Sequence, residues 1–380
     1  MGIRQRQIIT ISLLVLAVLV CFGWRTQPSL GAHNPDLVLS QPLTIRWRYA
    51  SNVTLNLTPA FDNERVYLPL AGGTLVALKA IDGQLLWRSD IGGELSASPI
   101  ADAAAIYVAS EAVALPGSPP SSSGTLRALG REGGVTQWMT PLVKPLRGAL
   151  ALSGERIFAG GSDGRIYAFD KRTGGVFWSI PFASAFSGQP VIQGGRVYLG
   201  SEDGTLYSLE ETTGRLLWRF KTKGAIRGPV AVAEGMALFG SGDGYVYAVS
   251  ADKGKMVWQK RTGGGVEAVS LAGDALLAAS LDNFAYLLKL NGKMIWKKQM
   301  PGRISSQPLT LQEAALFTPL SSSNAVVLGL RDGKQINSLA TGEELTSSAA
   351  PIIVGDTVIV TTEHGLLAFS RPPTTTKAAP

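Results

Sequence analysis

The side chains that most often carry chemistry in enzymes are scarce in this sequence. It contains two histidines, His33 and His364, and a single cysteine, Cys21. A Ser-His-Asp triad, a cysteine nucleophile or a zinc site needs such side chains in combinations that can meet in the fold. The sequence therefore predicts no catalytic residue, no metal site and no bound cofactor.

Three aspartates recur in the same local setting and could suggest a calcium site. Each of them, Asp163, Asp203 and Asp243, is followed directly by glycine. Asp-Gly is also the strongest short signal for a tight β-hairpin turn. Because the three occupy identical positions in successive repeats, we interpret them as turn-forming residues.

Tryptophan shows the period of the chain. Steps of about 40 residues, with one step of about 51, are typical of propeller blades or solenoid units. Each unit contains four short alternating strands, here called A to D, bounded by Gly and Asp turns, and the tryptophan lies in strand D. We interpret these tryptophans as structural residues that pack against the neighbouring unit. They are Trp47, Trp87, Trp138, Trp178, Trp218, Trp258 and Trp296.

The order of the strands predicts a closed ring. The chain opens with an isolated strand D, Thr44–Tyr49, and ends with an A-B-C triplet that lacks a strand D. The eighth strand D, Lys334–Leu339, has Asn337 in place of tryptophan. Pairing the first strand with the last triplet completes eight sheets and leaves only short edges. We predict an all-β, eight-bladed propeller of four-stranded antiparallel blades over residues 44–371, closed by the N-terminal strand and monomeric.

The N-terminus has the pattern of an export signal. Arg4 and Arg6 precede the apolar run Ile8–Phe22. A positive flank before such a run is typical of a signal peptide or signal anchor, and directs the body out of the cytoplasm. We predict a signal segment at 1–25, a linker at 26–43 and a flexible tail at 372–380. Lipidation of Cys21 is less favoured, because Val20 stands where a lipoprotein signal has a small residue.

Composition limits the classes of partner. The net charge is +7 and the pI about 9.5, with 17% charged residues. This charge is compatible with an anionic membrane surface or an acidic partner. The cations are scattered through turns, which disfavours a nucleic-acid-binding function.

The repeat resembles a known family. The pattern A-x-D-x-x-T-G-x-x-x-W is complete at Ala168, Asp170, Thr173, Gly174 and Trp178. It resembles the pyrroloquinoline-quinone (PQQ) type repeat of eight-bladed propellers. One class with this repeat, the quinoprotein dehydrogenases, binds PQQ and calcium, but its members are much longer. Many of them also carry an adjacent-cysteine disulfide that this chain lacks.

The chain more closely resembles the second class, the outer-membrane assembly factor BamB, in length, single-domain plan and export signal. That resemblance implies a non-catalytic, extracytoplasmic scaffold that acts with protein partners of an envelope complex. Its expected place is the periplasm, anchored to a membrane or associated with the outer membrane. A PQQ-dependent dehydrogenase and a cell-wall- or carbohydrate-binding propeller are the alternatives.

The same resemblance suggests a binding face. BamB binds the barrel-inserting protein BamA through a Leu-Arg-Gly-type segment of a mid-ring blade. The corresponding segment here departs from that pattern and is Ala185-Phe186-Ser187-Gly188, whereas the similar segments Leu146-Arg147-Gly148 and Ile226-Arg227-Gly228 lie in the two flanking blades. The D–A loops and B–C turns of a blade share one face, where cations cluster and the long insertion Val113–Ser123 lies. We predict that this face binds an acidic protein, with Leu146 and Ile226 as apolar anchors. The predicted cationic contacts are Arg147, Lys223, Arg227, Arg261 and Arg303.

Overall fold

The computed structural model describes residues 37–51, 54–112 and 123–372, and all regular secondary structure within them is β-strand. The predicted export signal, most of the insertion at 113–123 and the end of the predicted tail lie outside the described residues. The described strands form eight four-stranded antiparallel groups, which we number as blades 1 to 8. The predicted eight-bladed propeller is confirmed.

Blades 1 to 4 each use four consecutive strands in the order A to D. Blade 1 contains β2 (Ala60–Phe61), β3 (Arg65–Leu70), β4 (Thr74–Lys79) and β5 (Leu85–Asp90). Blade 2 contains β6 (Glu94–Ala101), β7 (Ala105–Glu111), β8 (Gly124–Gly130) and β9 (Thr136–Leu142). Blade 3 contains β10 (Leu146–Ser153), β11 (Arg156–Gly161), β12 (Arg165–Asp170) and β13 (Val176–Pro181). Blade 4 contains β14 (Val191–Gln193), β15 (Arg196–Gly200), β16 (Thr205–Glu210) and β17 (Leu216–Lys221).

Blades 5 to 7 repeat this order, and blade 8 takes its strand D from the other end of the chain. Blade 5 contains β18 (Ala231–Ala233), β19 (Met236–Ser241), β20 (Tyr245–Ser250) and β21 (Met256–Arg261). Blade 6 contains β22 (Val266–Ala272), β23 (Ala275–Ser280), β24 (Phe284–Lys289) and β25 (Met294–Gln299). Blade 7 contains β26 (Leu309–Leu311), β27 (Ala314–Phe317), β28 (Asn324–Gly329) and β29 (Gln335–Ala340). Blade 8 contains β30 (Ile352–Val354), β31 (Thr357–Thr362), β32 (Gly365–Ser370) and β1 (Thr44–Ala50).

The ring closes where the sequence predicts. Strand β1 pairs antiparallel with β32, from Thr44 opposite Ser370 to Ala50 opposite Gly365. This pairing gives the C-terminal triplet its missing outer strand and leaves blade 8 with the same strand order as the others. The two ends of the propeller are thus held together by a ladder of backbone hydrogen bonds, interrupted by one irregularity between Ile45 and Trp47.

The middle strands of each blade form the core between neighbouring sheets. Strands B and C, such as β15 and β16, are buried along almost their whole length, whereas strand D, such as β21, is largely exposed. Strand A lies nearest the ring axis, where blades 2 and 3 approach closely enough for one parallel pair between Ser98 and Ala149. A strand buried on both faces needs continuous apolar residues, as strands B and C have.

Each tryptophan joins its blade to the next one. In all seven, the indole Nε1 donates to a backbone carbonyl in the C–D turn of the following blade, at 2.7–3.2 Å. Trp218 of blade 4, for example, donates to Ala251 of blade 5 at 2.9 Å. The predicted structural role is confirmed, because a buried indole N–H requires such an acceptor. The acceptors, from Trp47 to Trp296, are Ala80, Arg131, Lys171, Glu211, Ala251, Leu290 and Leu330.

The absence of a tryptophan from strand D of blade 7 follows from the way the ring closes. Blade 8 has no continuous C–D turn, because its strands C and D come from opposite ends of the chain. Asn337 in blade 7 instead donates through Nδ2 to the carbonyl oxygens of Leu39 (2.9 Å) and Gln41 (2.7 Å). An amide fits here because it reaches two backbone acceptors in the segment that leads into β1.

One domain boundary needs correction. Residues 26–43 were predicted to be a linker, but Leu37, Leu39 and Leu43 are buried in a core cluster with strands of blades 7 and 8. These leucines lie where the missing turn would otherwise leave apolar core exposed. The described part of this segment therefore belongs to the propeller.

Candidate functional site

A channel runs along the axis of the ring, and its wall combines small polar residues with glycine, alanine, proline and a few larger apolar residues. All eight blades contribute to a cavity of about 190 Å³, which adjoins a second cavity of about 300 Å³. The two share lining residues, so they are parts of one channel. The shared residues are Thr58, Ser98, Ala149, Gln189, Gln307 and Ala350. Hydroxyl and amide groups of this kind offer neutral hydrogen bonds to water or to a polar ligand.

The charged part of this wall lies on the face formed by D–A loops and B–C turns, here called the upper face. Arg227 of blade 5 forms an ion pair with Glu202 of blade 4 at 2.8 Å and lies 3.7 Å from Glu267 of blade 6. Ser187 also donates to Glu202. One arginine thus joins carboxylates from the blades on either side of it.

The two carboxylates of this cluster differ in their acidity. Burial opposes the ionisation of Glu202, but the hydrogen bonds from Arg227 and Ser187 outweigh it and lower the pKa. Burial raises the pKa of Glu267, and the attraction of Arg227 does not compensate. The difference arises because Arg227 donates directly to Glu202 but only approaches Glu267.

A second ion pair lies on the upper face between blades 2 and 3. Nη2 of Arg147 lies 2.6 Å from Oε2 of Glu111, and Nη1 lies 3.2 Å from Oε1. This two-point geometry is the strong form of an arginine–carboxylate contact. Sequence reasoning missed Glu111, Glu202 and Glu267 as partners, although Glu267 occupies the repeat position that Arg227 holds one blade earlier.

The predicted apolar anchors are not on the surface. Leu146 and Ile226 have 0% and 1% of their surface exposed. The same position in the D–A loops of blades 4 and 6 is also buried, at Phe186 and Val266. A large apolar side chain at this point fills the space between adjacent sheets, so Leu146 and Ile226 are core residues and not anchors.

The glycine of these segments also has a structural explanation. Gly148 has a φ of +73°, and a Cβ there would collide with the carbonyl oxygens of Ser187 and Gly188 in the next blade. Glycine is required because the backbones of adjacent blades approach closely near the axis. The Leu-Arg-Gly pattern therefore marks blade packing, and its arginine is the one side chain left for other contacts.

The remaining predicted contacts are exposed but are not gathered at one point. Lys223, Arg261 and Arg303 lie on the surface in the D–A loops or at the end of strand D of blades 4, 5 and 6. Within the described residues, none of these three side chains makes an ion pair. They can approach an acidic partner without first breaking an internal contact.

The recurrent aspartates are confirmed as turn residues. Oδ1 of Asp163 accepts from the backbone N–H of Arg165 at 3.0 Å, and Oδ1 of Asp203 accepts from that of Thr205 at 3.0 Å. Asp243 accepts from the hydroxyl of Tyr247 at 2.8 Å. In the described part of the chain, no group of three or more His, Cys, Asp or Glu side chains could hold a metal ion.

Comparison with known proteins decides the family. The family profile described as outer membrane protein assembly factor BamB matches residues 39–116, 122–238 and 202–377. The chain belongs to the BamB family. Its BamB-type repeat thus extends over the whole ring, including the closing blade.

Solved structures agree with this assignment at the level of fold. The crystal structure of BamB from Moraxella catarrhalis is 14% identical, with a TM-score of 0.71 over 88% of this chain and 99% of that one. The computationally designed protein Ika8 is 15% identical, with a TM-score of 0.73 over 86% and 99% of the two chains. At these identities the likeness concerns the fold alone. No curated protein sequence matches the chain.

In residues 37–372, leaving out 52–53 and 113–122, no helix is long and apolar enough to cross a membrane.

Proposed function

We propose that this protein is a non-catalytic extracytoplasmic scaffold that binds protein partners of an envelope complex, such as the machinery that assembles outer-membrane β-barrels. The observation that carries the proposal is the match to the BamB family over the whole ring. The predicted export signal before the first strand supports an extracytoplasmic location, membrane-anchored or outer-membrane-associated.

The upper face is the surface that we propose for the partner. It carries exposed Lys223, Arg261 and Arg303, together with the arginines of the two ion pairs. Exposed rim cations mainly speed the encounter with an acidic partner. Arg227 can add a two-point contact to a partner's carboxylate, in exchange for its contact with Glu202.

The test is crosslinking of the full-length protein in membranes, followed by recovery of its partners. Replacing Lys223, Arg261 and Arg303 together by glutamate should lower the yield of the specific partner by at least about tenfold. Glutamate at Arg172, Arg331 and Lys334, exposed cations of the opposite face, gives the same change in charge and is the control. Equal losses from both triple variants would contradict the upper face as the partner site.

Arg227 has its own matched control. Arg227→Met should weaken partner recovery more than Arg196→Met, since Arg196 makes a comparable ion pair with Asp252 at 3.3 Å on the opposite face. Both variants should first be shown to melt as the parent does. Stoichiometric binding of PQQ with calcium, followed by turnover of alcohols or sugars, would contradict the scaffold function itself.

A further inference from the structure

The positive charge of this protein is concentrated in one sector of the ring. From Thr213 to Arg303 there are fourteen lysines and arginines against six aspartates and glutamates, a balance of +8. The whole chain has a balance of +7, so that all other residues together come to −1. This sector comprises the end of blade 4 and blades 5 and 6.

Within the sector, two adjacent blades carry the same exposed sequence pattern at the start of strand D. Blade 5 reads Lys255-Met256-Val257, and blade 6 reads Lys293-Met294-Ile295. The apolar members are exposed, with 55% and 54% of their surface accessible in blade 5 and 42% and 41% in blade 6, as are the apolar residues at the same positions of blades 1 and 3. Lys253 and Lys289 are exposed beside them, in or next to the C–D turns.

We call these eight residues the basic corner. They lie at the outer edge of the ring, on the face opposite the upper face, because strand D is outermost and C–D turns form that face. The corner consists of Lys253, Lys255, Met256, Val257, Lys289, Lys293, Met294 and Ile295.

Its two halves are held together by the contact between blades 5 and 6. Nε1 of Trp258, the residue after Val257, donates to the carbonyl oxygen of Leu290 at 2.7 Å. Leu290 is the residue after Lys289. The hydrogen bond fixes the strand that carries Met256 and Val257 against the turn between Lys289 and Lys293, so the eight residues form one surface.

The lysines of the basic corner, like Arg172 and Arg331, differ from three other cations of the C–D turns in making no ion pair within the described residues. Lys79, Arg215 and Lys334 pair with acids of their own turns, at 3.5 Å each. In the described residues, none of the four corner lysines makes an ion pair. The reasons are visible locally: Asp252 pairs with Arg196 of blade 4, and the turn of blade 6 contains Asn291 in place of an acid.

We propose that the basic corner binds the surface of an anionic phospholipid membrane. Lysines near such a surface are attracted to its anionic headgroups, and apolar side chains that enter the interface add to the binding. The exposed methionines, valine and isoleucine supply that apolar part, and the lysine stems can extend past them to the headgroups.

The chemistry of the corner favours lipid over an acidic protein. All four cations are lysines, which act as point charges suited to a diffuse layer of phosphates. Arginine is the residue enriched at protein–protein interfaces, and lysine is depleted there. Binding at this corner also leaves the upper face free for protein partners.

The test measures flotation of the full-length protein with phosphatidylcholine vesicles, with and without about 30% phosphatidylglycerol. The N-terminal apolar segment is present in every variant and meets both vesicle types, so the readout is the ratio of the two affinities. We expect a ratio of at least about 10 for the parent, which falls towards 1 when the salt concentration is raised.

Matched variants locate the effect. Replacing Lys253, Lys255, Lys289 and Lys293 by glutamine should bring the ratio close to 1. The control replaces Arg172, Arg215, Arg331 and Lys334 by glutamine, which removes the same charge from the turns of blades 3, 4 and 7. It should keep the ratio within about threefold of the parent.

A second variant tests the apolar part and guards against misfolding. Replacing Met256, Val257, Met294 and Ile295 by serine keeps the charge and should lower binding to anionic vesicles by at least about threefold. Melting curves identify any variant that does not fold. If the variant with four lysines replaced does not fold, the double variant Lys255→Gln with Lys293→Gln takes its place. A parent ratio near 1, or equal losses in the control, would overturn the proposal. So would a corner variant that keeps its vesicle binding but loses an acidic protein crosslinked in native membranes.

Discussion

At the scale of single residues, the aspartates of the B–C turns show how one carboxylate can stabilise a blade. Asp203 accepts hydrogen bonds from the hydroxyl of Ser201 at 2.6 Å and the backbone N–H of Thr205 at 3.0 Å, and pairs with Lys221 at 3.1 Å. Partial burial alone would raise its pKa, but these contacts outweigh burial and lower the pKa to about 2. The ionised form is therefore the one that the fold stabilises.

This pKa predicts how stability should depend on pH. Because the folded pKa lies below the unfolded value of 3.8, the stabilisation is present above pH 3.8 and is lost as the pH falls through about 2. Asp203→Asn, which keeps the turn acceptor, should cost roughly 1–2 kcal/mol at pH 7 after allowance for solvent screening. Denaturant unfolding at several pH values would measure this cost, which should shrink below pH 3.8 and disappear only when the pH is well below 2. A cost independent of pH would show that charge is not its origin.

At the scale of the element, the tryptophan of one blade and the turn glycine of the next form a single joint. Gly254 has a φ of +65°, and a Cβ there would lie 2.5 Å from Cε3 of Trp218. The glycine is needed for two reasons, because it allows the left-handed backbone and leaves room for the indole. The stability of each interface between blades depends on this joint.

Two substitutions should separate these reasons. Gly194 has a similar φ of +61°, and a Cβ added there would have no atom within 4 Å. Gly194→Ala should therefore lower the free energy of unfolding by about 1 kcal/mol, through backbone strain alone. Gly254→Ala should cost at least about 2 kcal/mol more, through displacement of Trp218. Trp218→Ala should cost about 3–5 kcal/mol, and the double variant less than the sum of the two. Equal costs for both alanines in equilibrium unfolding would show that the indole is free to move.

At the scale of the whole molecule, closure of the ring depends on residues 37–43, which precede the closing strand β1, as well as on β1 itself. Leu37, Leu39 and Leu43 cover the junction of blades 7 and 8, where the C–D turn is missing, and Asn337 holds their backbone. The segment therefore does in blade 8 what a continuous turn does in the other seven.

Two truncations test this role. A chain that begins at Leu37 should be as stable as the parent, whereas one that begins at Thr44 should lose roughly 3–6 kcal/mol through exposure of buried leucine surface. Thermal melting and protease resistance would compare them. If both truncated chains melt together, residues 37–43 do not contribute to closure.

The sequence by itself determined the period, the four-strand unit, the tryptophan joints and the closure by Thr44–Tyr49. These features are local and repeated, so alternation, turn glycines and a count of strands are sufficient to predict them.

Tertiary structure alone decided that Leu146 and Ile226 are core residues and that Arg147 and Arg227 are held by carboxylates of neighbouring blades. It also decided that residues 37–43 pack on the ring and that the unpaired lysines of blades 5 and 6 share one corner. A segment such as Leu-Arg-Gly reads the same in a core or on a surface, because burial depends on the blade packed against it, which lies about 40 residues away in the chain.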